Sequence, residues 1–498
     1  MEEGVAVQPA EVLDYFEQLL EFPRSGPSYP NAMDAYLLEQ AKSLGVSAKK
    51  DSSGNVTVRL PATEGSEGAQ PIALLAYTGA DIASLPSKVF DPYKDGVSLL
   101  PQGSRVRAEG TSMGADGALG AATILAVLKE LAEKPHGDIV AVFAAGTGAV
   151  SSQSADPVAS SGGAVTARKQ PYKIPEGALL INVGGVDTGR IMDEAPMAAL
   201  LAATSSASAV QAGAGRAYVI GASGFPSGTA GTKTAEGYVS PISVISKILS
   251  DARNAGCVYQ LCGFSGGDDA CSLPVSAQAT VILGDFEERQ FKRIANAVMG
   301  EARETLGAEG SDANIAIIET VRPANAISEE SVSKALTYLY GIINLKVAGS
   351  GSADAAMSIG KLRFDTSGFE CDIAVSGKYS KAETVDKIVT DQVAIEYLSG
   401  IPSRRFGYIP GFSNYGAEDV DQLSERFSAA YAKALGGKPR SEAAVALSPL
   451  GKLAEGATVK SIGVTVRGRG TPNEYFETAD AAVPANAILR YVDGEIEP

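Results

Sequence analysis

Three short apolar runs, Ile72–Ala76, Ile139–Ala144 and Leu179–Val183, set the strongest limit on what this chain can fold into. They are too short for buried helices and lack the polar alternation of half-exposed strands. Each therefore predicts a parallel strand covered on both faces. Between the first two lies Ala118–Leu131, an Ala- and Leu-rich helical stretch. Strands separated by helices imply right-handed βαβ units in an open sheet. Upstream, residues 10–22 and 33–44 place Leu, Phe and Ala at helical spacing, the second stretch ending at Gly45. Asn55–Leu60 alternates as a strand after the turn signal Ser53-Gly54, and residues 150–167, small and polar, predict a surface excursion.

The rhythm changes over about 190–405. One unit runs helix 237–255, strand 257–263, strand 276–283, helix 286–306. A second runs helix 329–342, strands near 344–349, 357–364 and 369–375, then helix 380–398. The two read as copies of one α/β module. From about 406 the pattern returns to a long helix, a strand at 459–466 and a final segment to Pro498. The order predicts residues 1–190 and 406–498 as one domain, split by an inserted domain over 191–405.

Composition narrows the function. A net charge of −16 argues against a nucleic-acid surface, which needs clustered Lys and Arg. The N-terminus has no basic segment leading into an apolar one, and no run of about 18 apolar residues occurs, so a cytoplasmic location off the membrane is expected. Four cysteines in 498 residues do not make a disulfide framework, and buried free thiols are expected. The chain has one histidine, His136, and so cannot ligate a metal pair through imidazoles. The 55 glycines predict close backbone contacts, within a subunit or between subunits.

Several stretches resemble one family: EFPR at 21–24, AYLLEQAKSLG at 35–45, KKDSSGNVTVRLPATEG at 49–65, RAEGTSMGAD at 107–116 and VRGRGTPNE at 466–474. They are similar to aminoacyl-histidine dipeptidase (peptidase D), a di-zinc exopeptidase whose catalytic domain is interrupted by a lid. GGDDACSLPVSA at 266–277 resembles a stretch of that lid. The resemblance implies an α/β fold: a mixed sheet with helices on both faces, interrupted by an α/β lid of two similar modules.

The family's chemistry does not carry over. Its His-x-Asp ligand motif is matched by LLAYTGAD, with Tyr77 and Gly79 at the ligand positions and Asp81 nearby. The bridging aspartate survives as Asp116. The motif that supplies the general base is matched by FAAGTGA at 143–149, without its glutamates. Gly184 stands at a later ligand position and Gly470 at that of the last zinc histidine. In the lid, Pro226 of GFPSG replaces a histidine, and His136 does not match a ligand. One carboxylate cannot hold zinc, which needs three or four donors. Without metal and glutamate there is neither an activated water nor a base. No catalytic residue and no cofactor are expected.

Other motifs add little. GFSGG at 263–267 fits a nucleophile elbow, but no histidine partners it. GAG at 213–215 lacks the third glycine of a dinucleotide site. Arg469 could cross toward Asp116 or bind a carboxylate ligand, with a solvated surface as the plainer expectation. Asp116 and Arg469 are the candidate ligand-binding pair, and Tyr77 is expected to fill part of the former metal space. The sequence predicts a non-catalytic homologue kept for self-assembly, at least a dimer through the lid. Low-charge segments 205–215 and 221–231 are the candidate contacts. The alternatives are a regulatory module that binds a peptide or amino acid in the old cleft, and a hydrolase with relocated metal ligands.

Overall fold

The computed structural model describes residues 6–26, 29, 31–85, 87–148, 155–158, 172–226, 228–230, 239–307, 312–344, 355–379, 382–414, 418–443 and 447–496. The three apolar runs form neighbouring strands of one nine-stranded sheet. Ile72–Tyr77 pairs parallel with Ile139–Ala144 on one side and with Ala178–Val183 on the other. Ala457–Ile462 extends the parallel block beside Ala178–Val183, although it lies some 280 residues later in the chain. Val56–Leu60 and Ser47–Lys50 add antiparallel strands at one edge. Arg190–Ala195, Phe412–Ser413 and Arg440–Ala443 complete the other.

The continuous apolar character of these strands follows from burial on both faces. Leu74, Ala76, Ala141, Phe143 and Ile181 point to one core, which holds the helices Pro9–Leu20, Ala115–Leu131 and Val483–Ile496. Their neighbours Leu75, Val140, Val142 and Leu180 point to a second core, closed by Leu450 and Leu453 of the turn around Pro449–Lys452. His136 is buried, its Nδ1 2.7 Å from the Gly137 carbonyl oxygen, and serves the loop before a strand.

A second sheet of nine strands is antiparallel throughout. Its order is Asn314–Thr320, Arg216–Ser223, Ala277–Leu283, Tyr259–Gly266, Ala355–Asp365, Gly368–Gly377, Met197–Ser205, Ser403–Ile409 and Asp156–Pro157. Helices Pro241–Asn254, Glu287–Leu306, Glu329–Asn344 and Ala382–Asp391 contribute to the core on its buried side. The helix–strand–strand–helix units read from the sequence fall on these elements, and the strand predicted near 344–349 lies almost wholly outside the described residues. GFSGG lies at the end of a strand, with Ser265 in register with Gln278 and Arg363 rather than at a turn into a helix.

The low-charge segments divide. Ala209–Gln211 is exposed and pairs with Asn325–Ile327. Residues 221–223 belong to an interior strand paired on both sides. Pairing on both sides uses up the strand's backbone groups, so residues 221–223 offer no free edge. All four cysteines are unpaired, three of them buried and Cys262 partly exposed. Among the described residues no helix is long and apolar enough to cross a membrane.

Candidate functional site

The ends of the parallel strands and the start of the Ala115 helix converge, as they do at the ligand crevice of open α/β sheets. Tyr77 ends one strand, Asn182 and Val183 end the next with Gly184 just beyond, and Asp116 lies in the first helical turn. A cavity of about 250 Å³ opens there, lined by Tyr77, Asp116, Asn182, Gly184, Ser448 and Ser461 among others.

Arg469 crosses to Asp116, contrary to the expectation of a solvated surface. Its Nε donates to Asp116 Oδ2 at 2.8 Å and its Nη2 to Asp187 Oδ1 at 3.0 Å. Burial pulls the guanidinium pKa down, and the two carboxylates more than offset this, so the net direction is up. Asp187, which the sequence reading did not single out, also has Arg467 at 3.9 Å.

Tyr77 is pushed well above its ordinary pKa, first by burial and then by its hydroxyl contact with Tyr172. Its ring lies against Gly148, where a Cβ would meet ring carbons at 2.7 Å. Phenol, neutral and packed, fills part of the cleft floor and offers no ligand near neutral pH.

The glycine positions have closed. A Cβ at Gly79 would lie 2.7 Å from the Gly146 carbonyl carbon, and one at Gly184 would lie 2.9 Å from the Asp116 carbonyl oxygen. Gly184 also has φ +135°, a conformation that only glycine adopts readily. Gly470, at φ +70°, faces open space.

Beneath the site two charged groups hold the loops. Glu474 accepts from the backbone N–H groups of Met113, Gly114 and Ala115 at 2.6, 3.0 and 3.1 Å. It supplies the cap that Gly114, with no side chain, cannot give the helix. Burial raises its pKa, against the lowering effect of those three donors. Arg24 is 2% exposed, and its Nε donates to the Thr78 carbonyl. Burial pushes it down to about 10. Neither residue was singled out from the sequence, although both lie in stretches that carried the resemblance.

A stretch of 131 residues is 34% identical to the cytosol non-specific dipeptidase of Escherichia coli (strain K12) and covers 26% of this chain. The fold matches the crystal structure of aminoacylhistidine dipeptidase from Vibrio alginolyticus with a TM-score of 0.63 and 18% identity, over 98% of this chain and 96% of that one. The chain is thus similar to a cytosolic dipeptidase over that stretch and shares its fold with the aminoacylhistidine dipeptidase. A tripeptidase from Staphylococcus aureus shares the fold at a TM-score of 0.54 and 15% identity, over 99% of this chain and all of that one (100%). No protein-family model matches the chain. The aligned stretch spans only 27% of the E. coli dipeptidase.

The zinc pair implied by peptidase D resemblance does not fit these residues. Asp116 is already held by a cation, and Gly79 and Gly184 have neither donor atoms nor room for them. Among the described residues no three His, Cys, Asp or Glu side chains cluster as a metal site.

Proposed function

We propose that this peptidase D-like chain has lost metal-dependent hydrolysis and works in the cytoplasm as a self-associating structural protein. Residues 191–405 are the associating lid, set between the catalytic-like segments 1–190 and 406–498. The observation that carries the reading is the Arg469 guanidinium on Asp116. A cation fixed to the one retained ligand carboxylate leaves no site for an activated water, so the scaffold's use lies elsewhere.

Association is supported by the outermost strand of the second sheet. Among the described residues Asn314–Thr320 pairs on one side only, and its other edge offers backbone donors and acceptors to another chain. Ile318 is 64% exposed on that strand and Val321, just beyond it, 88%. Light scattering at micromolar concentration, paired with elemental analysis, is the test. The expected result is a dimer or larger particle without stoichiometric zinc, reduced in size by Ile318→Lys. Two zinc ions per chain after dialysis would overturn the loss of hydrolysis, and a monomer across salt and pH would overturn self-association.

A second reading is favoured by the cavity beside Asp116: a regulatory module that binds a small peptide or amino acid in the old cleft. Saturable stabilisation by such a compound is its signature.

A further inference from the structure

We infer that the lid of this chain is locked to its catalytic-like body by a clamp at the turn Pro449–Lys452, so that the old cleft keeps one width. Two chain crossings join the two sheets side by side. One is Pro196 alone, between the strands Arg190–Ala195 and Met197–Ser205. The other is Pro410-Gly411, between Ser403–Ile409 and Phe412–Ser413. A domain hinge turns at a few residues of this kind, between the ends of elements. Here they are packed shut. Phe412 pairs with Ala195, and a side chain at Gly411 would run into the Ala195 carbonyl oxygen. The turn packs on them as well: a side chain at Gly451 would strike the Pro410 carbonyl oxygen.

A further link comes from the first 190 residues. Asp156–Pro157 adds the last strand of the second sheet, with Pro157 opposite Gly407 and Asp156 opposite Tyr408. Proline suits an outermost strand, where no further ladder needs its N–H. Lys452, next to Gly451 on the turn, reaches Asp156 Oδ1 at 2.5 Å, and the two side chains are only 16% and 5% exposed. Ala155 and Leu447 share an apolar cluster with Leu200, Ala374 and Ile409 of the second sheet. The contact is close: a Cβ on Gly407 would lie 3.0 Å from that of Ala155. Swinging the lid would part a shielded ion pair and expose this apolar surface, and both are costly. The stretch that forms the clamp also lines the cleft, through Leu447, Ser448, Pro449 and Leu450. Cleft wall and clamp are therefore one piece, and the cleft cannot open or close without undoing it. The lock is independent of whether the chain self-associates or binds a small molecule.

Pulsed electron-resonance distances test the lock. Spin labels are carried on keto amino acids at two exposed positions, Lys49 on the first sheet and Glu304 on a helix of the second, so the cysteines stay untouched. The full-length labelled protein is diluted with excess unlabelled chain, so that only distances within one chain are read. The expected result is one narrow body-to-lid distance in the otherwise native protein. Asp156→Asn, which removes the charge and keeps the shape, should spread that distance by several ångströms, as a freed hinge does. Gly407→Val, which wedges Ala155 away without removing a charge, should spread it likewise. A broad or two-peaked distribution in the otherwise native protein overturns the lock, and that measurement needs neither variant to fold. A narrow distance that both folded variants keep overturns the assignment of the lock to this clamp.

Discussion

At the scale of single residues, the site is decided by what surrounds two glycines. Restoring a carboxylate at Gly184 forces a side chain into φ +135° and against the Asp116 carbonyl oxygen at 2.9 Å. Strain of this kind costs about 1–3 kcal/mol per residue. Gly184→Asp should therefore lower unfolding free energy by that amount in urea titration without creating zinc binding by elemental analysis. Uptake of stoichiometric zinc would show that the backbone opens readily and that the site is only empty. The same reasoning applies at Gly79, where the obstacle is the Gly146 backbone rather than a dihedral angle. That Asp116 would meet Arg469 was open from the sequence, because 353 residues separate them.

At the scale of elements, Glu474 joins the C-terminal loop to the start of the Ala115 helix, favourably placed at the helix N-terminus. Its folded pKa lies above its ordinary value because burial outweighs the three N–H donors. In the window between the ordinary value of 4.5 and the raised one, the folded state binds more protons than the unfolded. Stability from this group therefore falls as pH rises through that window. Glu474→Gln cannot ionise and loses one acceptor oxygen, so the variant is less stable at acid pH. Its deficit relative to the native protein should shrink as pH rises from about 4 toward neutrality. A melting-temperature difference that widens over that range would contradict the burial argument. The apolar strands were legible as elements because two-sided burial writes itself into every residue. The cap was not, since Glu474 lies about 360 residues from the amides it holds.

At the scale of the whole molecule, most of the second sheet is built between Met197 and Ile409, and the chain then returns to the first sheet. Lys460, 1% exposed on the returning strand, fastens this closure: its Nζ bonds Asp193 Oδ1 and donates to Ser424 Oγ at 2.6 Å. Ser441 of the strand Arg440–Ala443 also donates to Asp193, so three strands meet at one buried carboxylate, and the helix Glu418–Leu435 is tied in through Ser424 on Lys460. Removing one member of such a pair leaves an uncompensated buried charge, typically costing about 3–5 kcal/mol. Lys460→Met should destabilise by that amount, and the double variant Lys460→Met, Asp193→Leu should recover much of it. A double variant no more stable than the single one would show that packing, not charge, dominates there.

The sequence by itself determined the parallel strands, the helix between them, the family resemblance and the identity of the residues at its ligand positions, because each is written in local pattern or motif. Only the tertiary structure decided what became of those positions. Arg469 reaches Asp116 and Asp187, and the Gly79 and Gly184 backbones pack against their neighbours. Each of these depends on distances between segments far apart in the chain, and a one-dimensional pattern carries no such distance.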